Sequence, residues 1–183
     1  MGIELNRTAA GPAHVPISLS LPFHCESLRE VHAPADVLFS YLDDHAQLAA
    51  HMSKSSWIML GSRMTIELDA SQGRAVGAHI CLVGRALGIP LSVEEVVIER
   101  QPPLRKVWQT VGIPRILVIG DYRMGFEIRP LASSVSLRVF IDYALPTKFP
   151  GSALGPLLGA FYARWCTASM AQDAANHFPC TER

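Results

Sequence analysis

Charge of either sign is not in excess in this chain: sixteen Lys and Arg balance sixteen Asp and Glu over 183 residues, and no basic run occurs. The electrostatic footprint of a nucleic-acid binder is missing, so no nucleic-acid partner is expected. Cysteine is scarce and scattered. Cys25, Cys81, Cys166 and Cys180 form no CxxC pair and no Cys/His spacing of the zinc type, which leaves reduced thiols in a cytoplasmic protein as the expectation. Long apolar runs are lacking as well. No stretch reaches the roughly eighteen uncharged apolar residues of a membrane span, so stable membrane insertion is not expected. Residues 1–23 lack the basic start and continuous apolar stretch of a signal peptide.

Motifs for metal or nucleophilic chemistry are equally thin. His45 and His51 lie six apart, off a common helix face, and His79 has no second histidine or carboxylate at ligand spacing. Ser55-Ser56 and Ser133-Ser134 lack a GxSxG context. Cys166 sits beside Trp165 on a helix, where a buried inert thiol is the default. No metal or cofactor is expected.

What is present is a chain 49% hydrophobic, enough for one domain over residues 24–180 behind an Ala/Pro/Ser-rich tail, 1–23. A first strand is expected from Cys25 to His32. Ala33-Pro34 then opens a helix over Ala35–Asp43, followed by a short one over His45–Met52. From Arg63 the period changes to two, with Met64, Ile66 and Leu68 alternating against Thr65, Glu67 and Asp69. Further strands read at 75–85, 91–100, 105–111, 117–128 and 134–144, an antiparallel meander with short connections. A long helix, Ser152 to Phe178, closes the chain.

Folding the fourth and fifth strands about Pro102-Pro103 places Glu99 opposite Lys106, Ile98 opposite Val107, Val96 opposite Gln109 and Glu94 opposite Val111. Taking the Glu99/Lys106 pair as solvated turns Glu94, Val96, Ile98, Val107 and Gln109 inward, together with Ile80, Leu82, Tyr122, Met124 and Ile141. Trp108, Val97 and His79 then share the outer face, an assignment that a bulge would reverse. On the closing helix, Leu154, Leu157, Leu158, Phe161, Trp165 and Ala168 fall in one stripe roughly 100° wide, which is expected to face the sheet. Its back, Gly155, Gly159, Ala163 and Thr167, is small and uncharged, and a covering by the tail, a second copy or another partner is expected.

The order strand, two short helices, six-stranded meander, long helix resembles the START-like superfamily of SRPBCC proteins, the α+β helix-grip fold, including its polyketide cyclase/dehydrase-like and lipid-transfer members. The resemblance spans roughly Cys25 to Phe178 and rests on "VHAPADVLFSYLDD", "VEEVVIERQPPLRKVWQTVG", "GDYRMGFEIRP", "FIDYALP" and "ARWCTASM". It implies a curved antiparallel sheet wrapped around the C-terminal helix with a hydrophobic cavity between them, and no particular reaction.

The expected activity is binding of a hydrophobic small molecule, a lipid, isoprenoid or polyketide-like compound, for sequestration or transfer. Its expected lining is Ile80, Leu82, Glu94, Val96, Gln109, Tyr122, Met124, Ile141, Leu158, Phe161 and Trp165. The alternative is a cyclase or dehydrase that moves protons through Glu94 or Tyr122. Burial would raise the Glu94 pKa into a useful range, whereas an edge position or a structural hydrogen bond would make it inert. Gln109 and Tyr122 could orient a ligand carbonyl or simply satisfy the backbone. A third reading is an interaction module or homo-oligomer built on the small back of the closing helix.

Overall fold

A computed structural model describes residues 20–48, 63–86 and 88–179. The tail up to residue 19, the second helix beyond Leu48, Ser55-Ser56 and Cys180 lie outside the described residues. Strand β1 (Phe23–Val31) leads to helix α1 (Ala35–Asp43), whose first turn is closed by the Leu38 N–H donating to the Pro34 carbonyl at 3.0 Å. A single helical turn, α2 (His45–Leu48), follows. Then come β2 (Arg63–Leu68), β3 (His79–Ala86), β4 (Ile89–Gln101), β5 (Arg105–Arg115), β6 (Tyr122–Pro130), β7 (Val135–Tyr143) and helix α3 (Gly151–His177). All pairings are antiparallel, and the sheet order is β1-β7-β6-β5-β4-β3-β2. The meander is as expected, with β1 returning to the far edge beside β7.

Two expectations about facing are corrected. Glu94 does pair with Val111 and Val96 with Gln109, but the register shifts between Val97 and Glu99, so Glu99 opposes Val107 and Arg100 opposes Lys106. Ile98 is the extra residue of a bulge. Lys106 is not solvated: it is 0% exposed, and its Nζ donates to Asp43 Oδ1 at 2.7 Å and to the Asp43 carbonyl at 3.1 Å. The inner face of this hairpin therefore carries Val93, Glu95, Val97 and Trp108, all buried and, Glu95 apart, part of the main core. Val96, Val107 and Gln109 are also buried but by alternation point the other way. On that side Phe140 lies over Gly125, where an added Cβ would meet the ring at 2.9 Å, and the Arg105 and Arg138 guanidinium groups cap it at 5.4 and 5.0 Å.

The second correction concerns α3. Gly155, Gly159, Ala163, Thr167 and Ala174 face the fold, while Leu157, 77% exposed, Phe161, 56% exposed, and Leu158 face out. The small residues were expected to form the back of the helix. They form its packing face because the helix lies almost on the backbone. A Cβ on Gly155 would come within 2.7 Å of Pro146 Cδ, and one on Gly159 within 2.9 Å of the Val118 carbonyl oxygen. Larger side chains could not enter this contact. What covers the small face is this chain's own β1, β7 and connecting segments, so no tail or second copy is needed there.

Candidate functional site

Three strands place a line of polar groups on the otherwise apolar inner face. Glu95 stands opposite Thr110 and next to Val97/Trp108, and Trp108 pairs with Met124 of β6, two residues from Tyr122. The Tyr122 hydroxyl donates a short hydrogen bond to Glu95 Oε1, and the Trp108 indole N–H donates to the same carboxyl. Burial pushes the Glu95 carboxyl up to about 7, against the lowering effect of these two donors and of the Lys106 charge. Tyr122 is pushed well above the ordinary phenol range, first by burial and then by the Glu95 charge. From α3, Tyr162 and Cys166 approach closely enough to add to these shifts, so the group lies between sheet and helix. The buried Cys166 thiol, pushed up to about 12, is protonated at neutral pH and is no nucleophile.

Beyond Trp108 the line continues to α1 and α2. The His45 ring meets Trp108 edge-on, with centroids 5.1 Å apart. Burial, with help from the Lys106 charge, pulls His45 down to about 3, leaving it neutral, and its Nε2 is buried without a hydrogen-bond partner among the described residues. Asp43 then gathers Lys106 and a two-pronged Arg100, whose Nη2 donates at 2.8 Å and Nε at 3.2 Å. Burial alone would raise the Asp43 carboxyl, but the hydrogen bonds from Arg100 and Lys106 outweigh it and hold it below its usual value. Such neutralisation is what lets a lysine be sealed in a core.

A concavity lies where the sheet ends and α3 begins. It encloses about 570 Å³ between the start of β4 (Ile89, Pro90, Leu91), the β5–β6 connection (Ile113 to Asp121) and the β7–α3 connection (Ala144 to Gly151). This volume is of the size that takes a small apolar molecule. Ile119 lines it and also belongs to the core cluster that holds Trp108 and Tyr122.

None of the residues expected to line the ligand borders this cleft. Ile80, Leu82, Tyr122, Met124 and Ile141 lie in the core on the inner face, with Trp165 half-buried against them. Val96 and Gln109 are buried on the opposite face. Glu94 is exposed there, its carboxylate 2.9 Å from His79 Nδ1, so the candidate acid is solvated. Leu158 and Phe161 are exposed. Sequence reasoning missed Glu95 and Trp108, although a signal existed: in Val93-Glu94-Glu95-Val96 one of two adjacent glutamates must face the core. Among the described residues no cluster of His, Cys, Asp and Glu is suited to a metal, and no helix is long and apolar enough to cross a membrane.

A seven-stranded antiparallel sheet with a short helix after its first strand and a long helix closing the chain is the helix-grip fold. Solved structures with this architecture include the Zhui aromatase/cyclase from Streptomyces sp. R1128, with a TM-score of 0.61, 13% identity, and coverage of 85% of this chain and 92% of that one. Truncated norcoclaurine synthase from Thalictrum flavum matches with a TM-score of 0.57 at 17% identity over 87% and 95% of the two chains. The ginseng major latex-like protein 151 from Panax ginseng matches with a TM-score of 0.54 at 13% identity over 88% and 100%. At these identities the likeness is one of fold. No protein-family model and no curated protein matches the chain.

Proposed function

We propose that the protein binds a hydrophobic small molecule, held in the cleft at the base of α3 and directed toward the interior between sheet and helix. The observation that carries this reading is the cleft itself, about 570 Å³ with Ile89, Leu91, Ile113, Leu117, Ile119 and Leu145 among its walls. An apolar molecule that loses several hundred Å² of surface there gains several kcal/mol at roughly 25 cal/mol per Å², before ordering costs. Glu95 and Tyr122 do not border the cleft; they lie buried behind its Ile119 wall, where a ligand that reached further between sheet and helix would meet them. Lipids, isoprenoids and polyketide-like compounds share this chemistry, and the fold's occurrence in an aromatase/cyclase agrees with it.

Native mass spectrometry of protein purified from its own source tests the reading: a co-purifying apolar molecule is expected. It should be lost from Thr147→Trp, which fills the cleft from an exposed position. Recovery of no such molecule, or equal recovery from Thr147→Trp, would refute it. A second reading, a proton-moving enzyme of the cyclase or dehydrase type, is favoured by one observation: a buried carboxyl whose pKa of about 7 suits general acid/base work. Glu95→Gln should then abolish turnover of the recovered compound while binding persists. A carrier would bind it unchanged and show no turnover in either form.

A further inference from the structure

Three segments that meet at the cleft end present large apolar side chains to solvent. Ile113 is 75% exposed and Phe149 85% exposed, and Ile89 stands at the same rim. The outward stripe of α3 extends this surface: Leu157 begins six residues, about 9 Å, along the helix from Gly151, and Phe161 follows one turn later. Isolated exposed apolar residues are ordinary, but a rim and a helix stripe joined in this way mark an interaction surface.

Among the described residues, cations outnumber carboxylates around that surface. Arg115 and Lys148 are exposed at the rim, and Arg164 is exposed on the helix stripe, seven residues from Leu157. From Ala144 to Gln172 there is no Asp or Glu, and none occurs from Gly112 to Gly120 or from Arg85 to Val93. Asp121, the carboxylate among the residues that line the cleft, is half-buried and within 3.4 Å of the Thr110 hydroxyl. The chain as a whole is neutral, so this segregation is a property of the site. Protruding apolar side chains set among exposed cations, with the bordering carboxylate half-buried, suit a bilayer whose surface is negatively charged: the apolar groups enter the acyl boundary while the cations meet the headgroups.

We propose that this end of the molecule is a peripheral docking surface for anionic lipid membranes, with Phe149, Ile113, Leu157 and Phe161 as the inserting groups and Arg115, Lys148 and Arg164 as the headgroup contacts. Docking so oriented would bring the mouth of the cleft against the bilayer.

The test is co-sedimentation of the full chain with phosphatidylcholine vesicles, pure or containing about a quarter phosphatidylserine. Binding is expected to the anionic vesicles, at least about tenfold weaker to the pure phosphatidylcholine ones and weakened by about 1 M salt. The Leu157→Ser/Phe161→Ser double variant and Arg164→Glu, all outside the cleft and exposed, should each reduce it about tenfold or more with unchanged circular dichroism. The proposal fails if anionic vesicles are not bound, if both vesicle types are bound equally, or if these variants bind as well as the parent. It also fails if the protein in solution is a dimer that these variants dissociate, since a second copy then occupies the surface. Ligand recovery is independent of these outcomes: variants that lose vesicle binding should still carry the apolar molecule, so this proposal and the cleft reading stand or fall separately.

Discussion

A carboxyl sealed between two aromatic donors makes protonation at Glu95 part of the folding balance. Its pKa rises from 4.5 when exposed to about 7 in the fold, so between those values the folded chain holds a proton that the unfolded chain has lost. Stability from this group is greatest below pH 4.5 and falls as pH rises to about 7, by about 3 kcal/mol at roughly 1.4 per unit. His45 works in the opposite sense. Its pKa falls from 6.5 to about 3, so it adds stability as pH rises through that window. The two cancel in part, and Glu95 is isolated by comparison with Glu95→Gln. In urea unfolding at several pH values, the parent should lose up to about 3 kcal/mol relative to the variant between pH 4.5 and 8. A difference that does not vary with pH would mean that Glu95 does not titrate in this window. At the other end of the polar line, Asp43→Asn leaves Lys106 fully buried without its carboxylate and should cost about 3–5 kcal/mol. Adding Lys106→Met should restore most of that loss. If Asp43→Asn alone is near neutral in thermal unfolding, the ion pair does not hold α1 to the sheet.

At the scale of elements, α3 shows how a small-residue face determines packing distance. Gly159→Leu drives a side chain into the Val118 carbonyl and Leu145, 2.9 and 3.0 Å from the position of its Cβ. Overpacking of this kind costs about 1–3 kcal/mol and often more against backbone, and the better helix propensity of leucine offsets less than about 1. Leu157→Ser on the outward stripe should change stability by no more than about 0.5 kcal/mol. Urea midpoints of the two variants decide the orientation: if Leu157→Ser were the costlier change, the stripe would face the sheet. The limits of α1 and α3 and the order of the strands were legible from Pro34, from the period-two alternation and from the Gly/Pro turns. The facing of α3 was not, because hydrophobicity ranks Leu157 and Phe161 above Gly155 and Gly159. Glycines at a close approach reveal their role only once the opposing backbone is in place. The same applies to β4: one bulge at Ile98 undid the inference from Glu99 and Lys106, which depended on a charge being solvated when it was buried and paired. Glu95 was one residue away from the candidate chosen, on the other face.

For the whole molecule, the cleft and the polar line belong to one packed unit, because Ile119 borders the cleft and shares a core with Trp108, Tyr122 and the buried residues of α3. A ligand held at the cleft adds contacts among β4, the β5–β6 connection and the start of α3, segments otherwise joined by the small cluster of Leu91, Leu117, Val118 and Leu154. Binding to the folded form alone then stabilises the entire chain. At a free concentration about a hundred times Kd the gain is about 2.7 kcal/mol, which for a domain of this length raises Tm by roughly 5–10 °C. Scanning calorimetry of ligand-stripped protein with the recovered apolar compound added back should show that rise for the parent. Thr147→Trp should unfold at the parent's unliganded Tm and show no rise on addition. An equal rise in Thr147→Trp would locate the binding energy away from the base of α3, and no rise in either protein at saturating compound would mean that the recovered molecule does not bind the fold.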